Sequence, residues 1–176
     1  MEGMQNNSAV IATTPQPGHY DIDPSQSRVT FTTRHLFGLG RVKGSFAIRR
    51  GSADVADPVA ASAIYAEIET ASFRTNSSQR DRSVLSARFL DPARHPVMIF
   101  RSDQIEAGDQ ILTGTLTVRG TTRPVTLAVT RSDMSGRSFT VRATARIDRT
   151  DFGITAARGL AARNLDLTVE VQCARN

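Results

Sequence analysis

Three histidines, His19, His35 and His95, and one cysteine, Cys173, are the imidazole and thiol side chains of this chain, the types from which zinc sites and activated nucleophiles are most often built. Their spacing suits neither. A tetrahedral zinc site draws on close pairs of Cys and His, and no nucleophile elbow, phosphate loop or paired-glycine fingerprint accompanies any serine or histidine. No metal and no cofactor is expected. Charged residues beside turns are more promising. Arg80-Asp81 lies in a polar segment, and Arg34-His35 closes a strand-like stretch. An arginine fork holds an anion through parallel hydrogen bonds, but it also serves ordinary surface pairs. His35 is read first as a hydrogen-bonded residue at a strand end and second as a ligand contact. Asn76 is placed to cap a short helix beginning near Gln79, or to line an opening. Asp148, Arg149 and Asp151 form a polar knot before Phe152-Gly153, where glycine permits a turn and the ring plugs an end.

The elements that must position these residues are strands. Apolar and polar residues alternate over Val29–Arg34, Val42–Ile48, Ile64–Thr70, Ile111–Val118, Val125–Val129, Phe139–Ile147 and Leu165–Val171, and the apolar-rich run Val97–Ser102 reads as a further strand. Period-two alternation of this kind marks strands with one buried face. Short turns join most of them. The exception is the segment Thr75 to Ser102, whose polar stretch Gln79 to Ala87 reads as one or two helical turns. The expectation is an all-β fold: eight antiparallel strands with a short helical insert between strands 3 and 4. Eight such strands close into an up-and-down barrel, and a two-sheet sandwich shares the same pattern.

Composition narrows the class. The 176 residues suit one domain, divided here into a flexible arm over 1–18 and a folded unit over 19–174. The net charge of +5 comes from 21 arginines and Lys43 set against 17 acidic residues. The arginines are dispersed, and aromatic residues are only 6% with no Trp, so nucleic acid is not an expected partner. The lone cysteine excludes an internal disulfide. The start of the chain lacks the basic region and long apolar run of a secretory signal, and no segment has the ~20 apolar residues of a membrane helix. A cytoplasmic location is therefore expected.

Several blocks occur together and in order: Tyr20-Asp21-Ile22-Asp23, Arg34-His35, Thr75-Asn76, Arg80-Asp81, Phe89-Leu90-Asp91, His95-Pro96, Phe100-Arg101-Ser102, Leu116-Thr117-Val118-Arg119-Gly120 and Asp151-Phe152-Gly153-Ile154. Over roughly Gly18 to Val171 their order and content resemble the YceI-like family, a lipocalin-like group of polyisoprenoid-binding proteins. The resemblance implies an elongated eight-stranded barrel whose apolar pore holds an isoprenoid chain, and binding without catalysis. Two departures stand out. Many members carry His two residues after the Arg-Asp pair, where this chain has Ser83, and many are exported to the periplasm, whereas no signal is visible here.

The resulting expectation is a protein that binds a long-chain polyisoprenoid or similar amphiphilic lipid for transport, storage or sequestration. Phe31, Phe46, Ile64, Ile68, Ile99, Leu116, Leu127, Phe139 and Val141 are the candidates to line the pore. His35, Asn76, Arg80 and Asp81 are the candidates for its mouth. Peripheral membrane contact during ligand exchange fits this reading, and oligomeric state is left open, a homodimer included. The alternative is a cavity enzyme, an isomerase or cyclase acting on an apolar molecule, with Arg34, His35, Glu67 or Asp81 as its ionisable group.

Overall fold

A sheet with one apolar face must bury that face against something, and here the sheet closes on itself. The computed structural model describes residues 14–34, 40–106, 108, 110–157 and 162–176. The strands are β1 (Gly18–Ile22), β2 (Arg28–Arg34), β3 (Arg41–Val55), β4 (Ala63–Glu69), β5 (Arg74–Thr75), β6 (Val97–Glu106), β7 (Ile111–Val118), β8 (Thr121–Ser135), β9 (Ser138–Asp148) and β10 (Asn164–Ala174). The α-helix among the described residues is α1 (Ser78–Val84). β10 pairs antiparallel with both β9 and β2, which closes the ring. β1 and β2 lie end to end between β10 and β3 and share one strand position. β5 is a two-residue addition to β3. The architecture is thus the expected closed eight-stranded antiparallel barrel, with α1 in the segment between β4 and β6.

Three strands run further than the sequence reading carried them. β3 continues through Gly51 to Val55, β6 to Glu106 and β8 to Ser135. Each contains a register shift: Ile48/Arg50 in β3, Arg101/Gln104 in β6 and Val129/Arg131 in β8. A bulge inserts one residue and reverses which parity faces inward. In β3 the buried positions pass from Phe46 and Ile48 to Ala53, so simple alternation loses the strand there.

The two ends of the barrel differ. At one end lie the end of β2 with the start of β3, the β7–β8 turn, the end of β9 with the start of β10, and the long segment carrying α1; this is the insert end. At the far end Tyr20, Phe139 and Cys173 pack tightly at 2%, 5% and 1% exposure. The rings of Tyr20 and Phe139 meet edge to face at 4.9 Å, and Tyr20 Oη donates to the Gln16 carbonyl. Near the insert end Phe31, Phe46 and Phe73 form a ring cluster with centroids 5.4 to 5.9 Å apart.

Candidate functional site

The inward side chains do not fill the barrel. A cavity of about 860 Å³ runs along its axis, lined from Ile105 and Val129 near the far end to Val84, Phe89 and Phe152 under the insert. This volume lies in the range of small-molecule sites. On β10, Leu165, Leu167, Val169 and Val171 all point inward yet remain only half-buried. Their inner surfaces face open space, where a packed core would meet them with the opposite wall.

Most of the expected lining residues stand around this hollow. Phe31, Phe46, Ile64, Ile68, Leu116, Leu127, Phe139 and Val141 all border it. Ile99 does not. Its neighbours Met98 and Phe100 line the cavity, and Ile99 sits opposite Glu67 on the outer face. The run Val97-Met98-Ile99-Phe100 is apolar at every position, so it contains no alternation from which to choose a face. Met98 and Phe100 are lining residues that the sequence reading missed for the same reason.

At the insert end, Arg80 borders the cavity. Its guanidinium donates to Thr75 Oγ1 and Asn76 Oδ1, both at 3.3 Å. Asp81 is not in the lining: its carboxylate accepts from the Thr75 amide at 2.9 Å and the Thr75 hydroxyl at 2.7 Å, tying α1 to β5. Asn76 is exposed and is not the helix cap. Ser77 holds that position, accepting from the Arg80 amide. Asn and Ser are both strong cap formers, and local preference does not order two of them in succession. His35 lies outside the described residues.

The charged lining residues are Arg34, Arg80, Arg88 and Arg149, all at the insert end, and no Asp, Glu, Lys or His among the described residues joins them. Arg149 is a structural tie. It donates to the carbonyls of Ala162 at 2.8 Å, Ile154 at 3.0 Å and Ala156 at 2.8 Å, and its guanidinium lies 5.7 Å from the centre of the Phe89 ring. Asp148 caps the adjoining 3-10 turn, Arg149–Phe152, by accepting from the Thr150 amide and hydroxyl. Gly153, at φ 73°, ends that turn, and Phe152 is buried against the cavity. Apart from Thr14, the lining residues exposed to solvent are Arg34, Gln79, Ser83 and Arg88, which mark a polar mouth beneath the insert.

A cavity enzyme of the kind considered above needs an ionisable group in the hollow with a shifted pKa. Glu67 is not that group. It projects from the outer wall of β4, between the inward Ala66 and Ile68. Among the described residues no three His, Cys, Asp or Glu side chains gather where they could hold a metal.

A family model described as a YceI-like domain matches residues 20–173. A UPF0312 protein of Enterobacter sp. (strain 638) is 33% identical over 161 residues, covering 86% of this chain and 83% of that protein. Protein YceI of Escherichia coli O157:H7 is 32% identical over 161 residues, with 86% and 83% covered. Among solved structures, BcnA of Burkholderia cenocepacia superposes with a TM-score of 0.73 at 19% identity, over 86% of this chain and 98% of that one. A polyisoprenoid binding domain from Saccharophagus degradans, implicated in plant cell wall breakdown, gives a TM-score of 0.65 at 13% identity, over 89% and 98%. At such identities the structural likeness speaks to the fold.

Proposed function

Because the chain belongs to the YceI-like family, we propose that it is a lipid-binding protein whose barrel encloses the tail of one polyisoprenoid or similar long-chain amphiphile. The observation that carries this reading is the axial hollow. It is apolar along its length and acquires charged side chains only at its insert end. An apolar tail laid along the axis loses its water to Leu165, Leu167, Val169 and their opposite walls, and a polar head rests at the arginine-lined mouth. Each buried methylene contributes ~0.8 kcal/mol, so a long tail binds tightly without directional contacts. The same arithmetic makes one methylene more or less a small difference, and the site selects for length and flexibility over exact structure. Binding of this kind serves transport, storage or sequestration equally.

The test is to purify the protein without detergent and compare native with denaturing mass spectra while extracting its lipids. A single stoichiometric prenyl species is the expected result. A protein that emerges empty and then refuses added long-chain isoprenoids overturns the proposal.

A further inference from the structure

The arginines differ in how they are partnered. On the barrel wall Arg49 pairs with Glu69, Arg50 with Glu67, Arg142 with Glu170 and Arg146 with Asp166 across strands, and Arg101 lies over the Tyr65 ring. At the insert end Arg94 pairs with Asp91 and Arg163 with Asp148, but a further group does not pair. Arg74, Arg82 and Arg88 are exposed and, like Arg34 and Arg80, have no carboxylate partner among the described residues. The nearby carboxylates are engaged elsewhere, Asp81 with Thr75 and Asp91 with Arg94 at 4.0 Å.

At the far end the sign reverses. Asp21, Asp54, Asp57 and Glu106 stand at that rim. Together with Asp133 they outnumber the arginines there, Arg131, Arg137 and Arg175, although His19 sits between Asp21 and Asp54 and offsets part of their charge. The net charge of +5 is thus distributed unevenly along the barrel axis, strongly positive at the insert end and weakly negative at the far end.

We propose that the insert end is a docking surface for an anionic phospholipid bilayer, which it meets mouth first, with Arg74, Arg82 and Arg88 among the head groups. Unpaired, solvated guanidiniums give up little to approach phosphate and gain from the surface potential of anionic lipid. The axial charge separation orients the approaching molecule before contact. The arrangement also favours a bilayer over other polyanions. A positive rim surrounds an apolar opening, as a charged head-group layer covers an apolar interior; nucleic acid offers the charge without the apolar phase. The use of such docking for ligand exchange rests on the lipid-binding reading above, whereas the docking itself does not depend on what the cavity holds.

Sedimentation with vesicles tests it, using phosphatidylcholine alone and phosphatidylcholine with about one-third phosphatidylglycerol. The expected result is binding to the anionic vesicles only, released at about 0.5 M salt. The pair Arg74→Glu/Arg82→Glu should lower the vesicle partition coefficient about tenfold or more. The pair Arg131→Glu/Arg137→Glu changes net charge equally at the far end and should bind as the parent does. Circular dichroism checks folding, with Arg74→Gln/Arg82→Gln replacing a reversal that disturbs the insert. Failure of the parent protein to bind, or equal loss in both charge-reversed pairs, overturns the proposal. So does binding to duplex DNA in preference to vesicles, which would make the rim a polyanion site. Extracting lipid from the same samples reads cavity occupancy separately, so the two proposals fail independently.

Discussion

Glu67 shows how a residue on the outside of a barrel can be sealed from water. Its side chain is 7% exposed. Tyr65 Oη donates to its carboxylate at 2.5 Å and the Arg50 guanidinium at 2.7 Å, while Arg101 lies 4.7 Å over the Tyr65 ring. The Arg50 hydrogen bond, followed by that from Tyr65, holds the carboxyl down to about 2, against 4.5 ordinarily. A carboxyl depressed on folding stabilises the protein fully above the unfolded value and loses that contribution as pH falls through the folded one. Glu67→Gln should therefore cost about 1–3 kcal/mol at neutral pH, and the deficit should shrink as pH falls toward 2. Urea unfolding of both proteins at neutral and acidic pH measures this; a deficit constant across pH would contradict it. At this scale the sequence was readable where alternation was strict. Ala66 and Ile68 on either side place Glu67 outside, which disposes of it as a catalytic candidate. Ile99 and Asn76 were misplaced because four apolar residues in a row, or two good cap formers in a row, carry no phase.

Among the elements, β3 depends most on its small residues. Gly44 faces Phe31 across the β2–β3 ladder. A Cβ there would lie 2.3 Å from Phe31 Cζ and 2.7 Å from the Arg74 carbonyl oxygen. The glycine lets the Phe31 ring lie flat over β3 and stack on Phe73 at 5.5 Å, and the Arg74 backbone leaves no room for β3 to retreat. Gly44→Ala should destabilise the barrel by about 1–3 kcal/mol through overpacking, measured as a lower melting temperature; an unchanged melt would mean that Phe31 and β5 yield freely. The cores of the expected strands other than Val97–Ser102 were legible because each has several alternating pairs. The far halves of β3, β6 and β8 were not, since each bulge exchanges inward and outward parity. In β3 the bulge is followed at once by Gly51, which also reads as a turn.

For the whole molecule, alternation decided neither closure nor hollowness, and both were expected through the family resemblance. Eight amphipathic strands suit a sandwich as well as a ring, and the same alternation describes a ring whose side chains meet at the axis and one whose side chains fall short. The difference lies in the sum of side-chain volumes against barrel width, a property of no single segment. Leu116, inward-facing and only half-buried, reports the empty space directly. Leu116→Arg has room for its chain but places a charge in an apolar hollow. It should abolish retention of an apolar lipid while the barrel stays folded, as judged by circular dichroism and lipid extraction; a folded variant that still carried lipid would remove Leu116 from the binding wall. The unbroken ladder from β9 through β10 to β2 has a kinetic consequence. A wall without a seam cannot part sideways, so a guest enters and leaves lengthwise, like thread through an eye. Its residence time is then governed by how much chain must slide past the rings of Phe31, Phe46 and Phe73 and out under the insert, and a longer guest is released more slowly even where its extra length adds little affinity.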